Sequence, residues 1–255
     1  MEDDKDRLFV TALARGLKVL AAFRPGEASL SNQELAKRTG LPKSTVSRLT
    51  YTLTKQGYLS QDADSGFYRL GVAVLELGAA VLASYDIRHI AGPLMREFAL
   101  ANNVSISLAT RDGTDMVYLE TCRSQAKVSV QLTVGSRVPI ATTAIGRAYY
   151  LGLAETEREH LDAQLAERYG KQWPTLQQQL QREQANYQQR GFSVSFGEYE
   201  QDVMAVGVHL PSLSASQPAM SLNASGPAFA FSADTMQNVI APALLALRQR
   251  LVPRG

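Results

Sequence analysis

The chain has only one cysteine, Cys122, among its 255 residues, and only three histidines. A single cysteine cannot form an internal disulfide, and cysteine-rich zinc sites need several thiolates. The sequence also lacks a glycine-rich phosphate loop and any pair of carboxylates at a recognisable catalytic spacing. We therefore expect no disulfide framework, no metal site, no cofactor and no enzymatic activity of the classes that depend on these motifs.

Long apolar runs are also missing. The nearest candidate, residues 72–82, contains Glu76 and is shorter than the ~20 residues that a transmembrane helix needs. The beginning of the chain does not show the basic and then apolar pattern of a secretory signal. We expect a cytoplasmic protein without a membrane partner.

The net charge of +2 is small, but it is unevenly distributed along the chain. Residues 7–70 hold ten Lys or Arg against four Asp or Glu, whereas residues 71–255 hold fifteen against sixteen. Proteins that bind nucleic acids gain much of their affinity by neutralising phosphates with basic residues. The basic excess therefore indicates that the N-terminal part is the one suited to nucleic acid.

Residues 31–70 have the pattern of a winged helix-turn-helix. Ser31 and Glu34 are spaced as a capping box at a helix start. In a capping box, the side chain of each of the two residues accepts a hydrogen bond from the backbone amide of the other. Gly40 stands where a helix commonly ends in a left-handed residue, and Pro42 suits the first turn of the next helix. These signals predict two short helices joined by a tight turn.

The second of these helices is predicted to have an apolar face and a face of hydrogen-bond donors. Val46, Leu49 and Leu53 recur at helical spacing, and the turn-rich segment 62–66 then predicts a hairpin. A donor-rich face is often no more than a solvated face, but this order of elements is typical of a helix that enters the DNA major groove beside a wing. The residues predicted to bind DNA are Ser31, Lys43, Ser44, Thr45, Ser47, Arg48, Tyr51 and Arg69.

Two further helices are predicted around this motif. Residues 9–23 predict an amphipathic helix that packs on the motif through Leu13, Leu17 and Leu20. Residues 71–84 predict a helix that is too apolar for an exposed linker, so we expect it to pack against another helix and the chain to form at least a dimer. The expected domains are a winged helix-turn-helix at 7–70, a linker helix at 71–85 and an effector domain at 86–250.

The remainder of the chain alternates between helix and strand. Helices are expected at both ends of this region, with strands between them. The pattern predicts an α+β domain with an antiparallel sheet flanked by helices. The expected strands are 104–110, 116–122, 127–133, 192–199, 203–210 and 219–224.

Residues 139–146 combine an irregular segment, small side chains and a helix start. The first amides of a helix have no partner inside it, and the helix dipole favours negative charge there. Small residues allow a carboxylate to approach these amides. The segment therefore predicts an anion site, with the alternative that Thr142 simply caps the helix.

The neighbouring strands predict the rest of a binding cavity. Ala205, Gly207 and His209 share one face of their strand, and Asn223 and Ser225 share a face of the next. Such small and polar residues pack poorly as a core and are typical of a cavity wall, although a lone strand histidine is often structural. Together with the helix start this predicts a small organic acid, aliphatic or aromatic, as the ligand of Thr143, Ala144, Ile145, Ala205, His209, Asn223 and Ser225.

Cys122 leaves an alternative function open. A single cysteine at the end of a strand is usually a small packed hydrophobe. Arg123 beside it could lower the pKa of the thiol and make it reactive. The alternative to a ligand-responsive regulator is therefore a redox-sensing regulator or a small-molecule enzyme that uses Cys122.

Segments along nearly the whole chain match a known family in order and spacing. They are 13–17, 40–49, 57–59, 134–139, 146–148, 190–192 with Glu198, and 225–227. On these segments the chain resembles the IclR family of bacterial transcription regulators. The resemblance implies a winged helix-turn-helix, a GAF-like effector domain, and homodimers or homotetramers that bind a pseudo-palindromic double-stranded DNA operator under control of a small molecule. Ser195 stands where the family often has a ligand-contacting acid, whereas Ala144 and Asp202 stand at or near positions where it often has glycine.

Overall fold

The computed structural model describes residues 8–24, 26–123, 132–212 and 217–252. The chain divides into two compact units, the first ending at Ser84 and the second beginning at Tyr85. Within the described ranges, no helix has the length and apolar character needed to cross a membrane.

The first unit is a small bundle of helices with a hairpin. Its core is formed by the buried side chains of Val19, Leu30, Leu35, Val46, Leu59 and Tyr68. The two strands are antiparallel, and Leu30 adds a bridge to Tyr68. The elements are α1 (Thr11–Leu20), α2 (Asn32–Thr39), α3 (Lys43–Lys55), β1 (Leu59–Gln61), β2 (Tyr68–Leu70) and α4 (Val72–Ala83).

The start and end of α2 follow the predicted local chemistry. The Ser31 hydroxyl accepts a hydrogen bond from the Glu34 amide, and the Glu34 carboxylate accepts one from the Ser31 amide at 2.8 Å. Gly40 ends the helix with φ +69°, a left-handed conformation that glycine adopts without steric cost. Pro42 directly precedes α3, which begins at Lys43. The capping box and the tight turn are thereby confirmed.

The predicted burial of α1 is wrong for two of its leucines. Leu13 and Leu17 are 62% and 57% exposed, whereas Gly16 and Val19 are buried. The side-chain-free Gly16 faces Leu49 of α3. The helix therefore packs through its small residue, and this turns the larger leucine stripe away from the core.

The helix α4 confirms the helical prediction for this apolar segment, and it contains no buried residue. Val72, Leu75, Leu77 and Val81 are each more than half exposed. No charged residue occurs in the first or last turn of this helix. The most apolar segment of the first unit is therefore also one of its most exposed segments.

The second unit is built on a six-stranded antiparallel sheet in the order β5-β4-β3-β8-β7-β6. This confirms the predicted α+β class. The strands are β3 (Ser105–Asp112), β4 (Asp115–Cys122), β5 (Arg137–Pro139), β6 (Ser193–Phe196), β7 (Val203–Leu210) and β8 (Met220–Pro227). The helices are α5 (Ile87–Asn102), α6 (Ala144–Gly152), α7 (Glu155–Tyr169), α8 (Trp173–Arg190), α9 (Ala233–Thr235) and α10 (Ala241–Leu251).

Helices cover both faces of the sheet. The first helix, α5, packs on β3 and β4, and α10 packs on β7, β8 and α5. On the other face α6 packs on β6, β7 and β8, and α7 and α8 lie outside it. Since every residue of α6 from Ala144 to Leu151 is buried, this helix is the central layer between the sheet and the outer helices.

Some boundaries in this unit differ from the sequence prediction. The expected strand 127–133 lies outside the described residues up to 131, and Leu132 and Thr133 are not in a strand. No strand was expected over Arg137–Pro139, but this segment pairs with β4. The helix α6 begins at Ala144, so that Thr143 is its cap in place of Thr142. The closing helix contains a π-helical turn at Met236–Ile240.

Candidate functional site

The outer surface of α3 collects most of the residues predicted to bind DNA. Lys43, Ser44, Ser47, Arg48 and Tyr51 are all exposed. At about 100° per residue, these positions span an arc of roughly 140° around the helix. They form one continuous surface of basic and hydroxyl side chains, which we name the donor face.

One side of the donor face is fixed by α2. The Asn32 amide donates to the Ser47 hydroxyl at 2.6 Å, and Ser47 donates to the Lys43 carbonyl at 3.0 Å. The Lys43 ammonium lies 3.4 Å from the Gln33 side-chain oxygen. Among the described residues, no ion pair involves Lys43 or Arg48. Both charges are therefore available to phosphates or base edges.

The other residues predicted to bind DNA lie around the donor face. Thr45 is half-buried at a groove between α1 and α3 that Arg48 also lines. Arg69 is exposed on β2, opposite Ser60 of the hairpin. The hydroxyl of Ser31 is engaged in the α2 capping box and is only partly exposed.

A small cavity with both apolar and polar walls lies where the start of α6 meets β6, β7 and β8 of the second unit. Its volume of about 40 Å³ is sufficient for a few water molecules. The predicted residues on its wall are Thr143, Ala144, Ser195, Ala205, Asn223 and Ser225. Sequence reasoning missed the others, namely Tyr118, Leu132, Val138, Tyr199, Glu200 and Val203.

The start of α6 combines a cap with free amides. The Thr143 hydroxyl accepts from the Gly146 amide at 3.2 Å and donates to the Pro139 carbonyl at 2.6 Å. The amides of Ala144 and Ile145, at the first two helical positions, have no acceptor within a helix. Capping and anion binding therefore do not exclude each other at this helix start.

Gly207 allows β7 to approach the start of α6 closely. A Cβ atom at this position would overlap the carbonyl of Ala144. The Ser193 hydroxyl of β6 donates to the same carbonyl at 2.7 Å. The glycine and this hydrogen bond hold the first turn of α6 against the sheet beside the cavity.

Buried polar groups on the sheet side complete the cavity. The Ser195 hydroxyl donates to the Thr142 carbonyl at 3.0 Å. Asn223 is 5% exposed, and its side-chain oxygen has no hydrogen-bond partner among the described residues. Burial raises the pKa of Tyr118, so this phenol is neutral and can donate a hydrogen bond. A buried acceptor without a donor is costly, and the Asn223 oxygen is therefore suited to a donor on a bound molecule.

Arg147 forms a buried ionic cluster beside the cavity. It is 5% exposed, and its guanidinium pairs with Glu183 of α8 at 3.4 Å and with Glu198. It also donates to the carbonyls of Ala141 and Val194 at 3.0 and 3.1 Å. Burial raises the pKa of Glu183, against the opposing effect of Arg147. Sequence reasoning gave Arg147 no role, although an arginine in an otherwise apolar helix is a signal for a buried ion pair.

Two residues predicted to bind the effector lie outside the cavity wall. The Ile145 side chain is fully buried in the core below α6, so only its amide is placed at the helix start. The His209 ring packs edge-on against Tyr149 with centroids 5.8 Å apart. Burial lowers the pKa of His209 to about 4, with the charge of Arg248 as a smaller cause. His209 does not line this cavity, but its buried Nδ1 has no hydrogen-bond partner among the described residues, so its contact with an effector stays a prediction.

Cys122 is buried, and its thiol lies 3.7 Å from the Gly92 carbonyl. Burial raises the pKa of the thiol, and Glu120 raises it further. Arg123, expected to lower that pKa, instead donates to the Leu132 carbonyl. The reactive thiolate is thus disfavoured. In the described part of the chain, no group of three His, Cys, Asp or Glu could hold a metal ion.

Three helices, a hairpin wing and an exposed donor face on the third helix define a DNA-binding helix-turn-helix protein. Two family models match the chain: the IclR helix-turn-helix domain over residues 12–63, and the bacterial transcriptional regulator IclR C-terminal domain over residues 79–249. The chain belongs to the IclR family. It is a transcriptional regulator with a DNA-binding helix-turn-helix, and the prediction that it is not an enzyme is confirmed by this membership.

Individual relatives agree with this assignment. The HTH-type transcriptional regulator TsaQ1/TsaQ2 of Comamonas testosteroni is 34% identical over 242 residues, covering 94% of this chain and 86% of that protein. The crystal structure of an IclR family regulator from Brucella abortus is 38% identical with TM-score 0.79, covering 98% of this chain and 94% of that one. An IclR homolog from Microbacterium hydrocarbonoxydans, complexed with 4-hydroxybenzoate, shares the fold at 22% identity and TM-score 0.75, covering 94% and 99%.

Proposed function

We propose that this regulator binds a specific operator and that a small organic acid in the α6 cavity changes its affinity for that operator. The observation that carries the proposal is the start of α6 at Ala144 and Ile145, whose amides have no partner inside the helix, beside a small cavity with apolar and polar walls. Helix starts of this kind stabilise anions through their amides and the helix dipole. A regulator of transcription in a bacterium acts in the cytoplasm, where we place this protein.

The charges around the cavity favour binding by amides over binding by a basic side chain. Glu200 is the charged residue among those that line the cavity in the described chain, and it is exposed to solvent, which screens it. The nearby guanidinium of Arg147 is already paired with Glu183 and Glu198. An acid would therefore depend on the amides near Thr143, with the hydroxyls of Ser195 and Ser225 beside it.

The free oxygen of Asn223 adds a second requirement. The Asn223 side chain is hydrogen-bonded to Tyr118, and its oxygen can also accept from a donor on a ligand, which would stabilise the complex because a buried acceptor without a donor costs about 1–3 kcal/mol. We therefore expect an acid that also carries a hydroxyl or amino group, with Ala205 leaving room for its body. The 4-hydroxybenzoate bound to the Microbacterium hydrocarbonoxydans protein has both groups and is a suitable first probe.

On the DNA side, we propose that the donor face enters the major groove and that Arg69 of the wing contacts the backbone. Arg48 would read a base. The residues that would hold the helix on the DNA are Ser31, Lys43, Ser44, Thr45, Ser47 and Tyr51. We further propose a homodimer or homotetramer, in which two donor faces meet two half-sites of a pseudo-palindrome ~34–36 Å apart or a multiple of that. The exposed apolar surfaces of α1 and α4 support this assembly.

Thermal shift with matched acids and amides tests the cavity. A responsive acid should raise the melting temperature of the protein, because ligand binding stabilises the folded state. The corresponding amide, such as 4-hydroxybenzamide for 4-hydroxybenzoate, should raise it much less since it carries no charge. The bulky change Ala144→Leu should abolish the shift. Equal shifts by acid and amide would show that the cavity recognises shape alone and would contradict the proposed anion site.

A further inference from the structure

The loop between β6 and β7, residues 197–202, forms one side of the cavity. Tyr199 and Glu200 of this loop line the cavity. The loop is closed at its base by a 2.9 Å hydrogen bond from the Gly197 amide to the Val203 carbonyl. Only one side chain of the loop reaches inward to a buried charge in the described structure, that of Glu198, which pairs with Arg147.

Arg147 also holds the other walls of the cavity. Its Nε donates to the carbonyl of Ala141, just before the Thr142 carbonyl that receives the Ser195 hydroxyl. Its Nη1 donates to the carbonyl of Val194, next to Ser195. A single guanidinium thus joins the segment before α6, the strand β6 and the loop 197–202. The planar fork of arginine suits several acceptors at once, which lysine would not.

Glu183 keeps this arrangement in place from the outside. Its carboxylate accepts a 2.9 Å hydrogen bond from the Val194 amide and pairs with Arg147. A buried guanidinium needs such a partner, because an uncompensated buried charge is strongly destabilising. The two carboxylate partners of Arg147 differ in burial. The side chain of Glu198 is 45% exposed, whereas that of Glu183 is 13% exposed. The Arg147–Glu198 pair is thus the one that can separate without exposing the cluster.

We propose that Arg147 is a positioning residue of the effector cavity, which holds the loop 197–202 closed through Glu198. Arg147 does not contact the effector. It sets the position of Tyr199 and Glu200, and opening of the Arg147–Glu198 pair lets a ligand enter and leave. The inference rests on the proposed function for the ligand, but the loop closure itself is a property of the protein without ligand.

The closing experiment compares Glu198→Ala with Asp202→Ala in the full-length protein. Both changes remove one carboxylate from the same loop, but only Glu198 pairs with Arg147. Hydrogen exchange followed by mass spectrometry on the ligand-free proteins reports the opening of the loop. We expect exchange of the Gly197 and Val203 amides to rise at least tenfold in Glu198→Ala and to stay within twofold of wild type in Asp202→Ala, with similar melting temperatures for all three.

Unchanged exchange in Glu198→Ala would overturn the proposal, whatever ligand data show.

A second measurement follows the binding of 4-hydroxybenzoate by stopped flow. Faster association and faster dissociation in Glu198→Ala support the loop as a gate, whereas unchanged rates beside raised exchange would overturn its role in the cavity. If 4-hydroxybenzoate and the other acids do not bind wild type, the proposed function fails, and the exchange data alone decide whether Arg147 holds the loop.

Discussion

At the scale of single residues, Arg48 is the side chain that we expect to read a base. It is exposed on the second turn of α3, and the described residues place no carboxylate in an ion pair with it. A bidentate arginine–guanine contact contributes roughly 1–3 kcal/mol of discrimination. The Arg48→Ala variant should therefore lose preference at one base step in each half-site, measured by selection of operators from random double-stranded DNA.

Lys55→Ala is the control for this prediction, because Lys55 lies exposed at the end of the same helix beside Tyr51. Loss of a phosphate contact at Lys55 should lower the affinity for all DNA sequences alike and reduce the salt dependence of binding. If Arg48→Ala also weakens all sequences equally, Arg48 contacts a phosphate and our assignment is wrong.

His209 gives a prediction on pH. Burial lowers its folded-state pKa to about 4 from 6.5, so the unfolded state binds the proton more readily than the folded state. The stability that depends on neutral His209 is complete above pH 6.5 and is lost as the pH falls towards 4. Between pH 7 and pH 5 the loss should be about 2 kcal/mol.

The measurement is chemical denaturation of wild type and His209→Gln at both pH values. The variant should lose about 2 kcal/mol less than wild type over this interval. His89→Gln, which changes an exposed histidine of α5, should behave as wild type. Equal losses in wild type and His209→Gln would show that the His209 imidazole does not account for the pH dependence.

The sequence was informative at residues whose role is local. The Ser31 and Glu34 capping box and the Gly40 turn depend on neighbours within a few positions, and the structure contains both. Arg147 depends on Glu183 and Glu198, which are distant in sequence, so no local pattern could identify its partners. For His209, alternation gives the face of the strand but not the packing of its ring against Tyr149, and its contact with an effector stays a prediction.

At the scale of elements, α4 and the leucine stripe of α1 are exposed apolar surfaces of the first unit among the described residues. Leu13 and Leu17 of α1 and Leu77 of α4 line an apolar groove of about 670 Å³. Exposed apolar surfaces of this kind mark interfaces, so we expect wild type to be a dimer or tetramer at micromolar concentration. A monodisperse monomer, measured by light scattering, would contradict this prediction.

The double variant Leu17→Gln/Leu77→Gln tests which surface forms the interface. It should weaken the assembly by at least tenfold in dissociation constant, because the apolar area buried between subunits decreases. Leu100→Gln, which changes an exposed leucine of α5 in the second unit, is the matched control for the added polarity. If only the control weakens assembly, the subunits meet elsewhere.

Element boundaries were predictable where periodicity is long and failed where segments are short. The strands β7 and β8 alternate over their full length, and the predicted face of Ala205 and Asn223 does line the cavity. The strand Arg137–Pro139 is too short to alternate and ends in proline, so only its pairing with β4 defines it. The stripe of α1 was misassigned because helical periodicity cannot tell an apolar face that packs in the core from one that remains exposed.

At the scale of the whole molecule, DNA binding and the proposed effector binding belong to different compact units of one chain. Coupling between two such sites is reciprocal, so an acid that changes operator affinity must itself bind more or less tightly when operator is present, by the same factor. Couplings of this type are commonly about 5- to 150-fold. Their direction decides between a repressor released by its effector and a regulator recruited by it.

The most direct test is the affinity for a selected operator, measured by fluorescence anisotropy with and without the acid that gives the largest thermal shift. We predict that the acid changes the dissociation constant of wild type about fivefold or more, that its amide does not, and that Ala144→Leu binds operator normally without responding to the acid. An equal response to acid and amide, or a normal acid response in Ala144→Leu, would contradict control of operator binding by an acid in the α6 cavity.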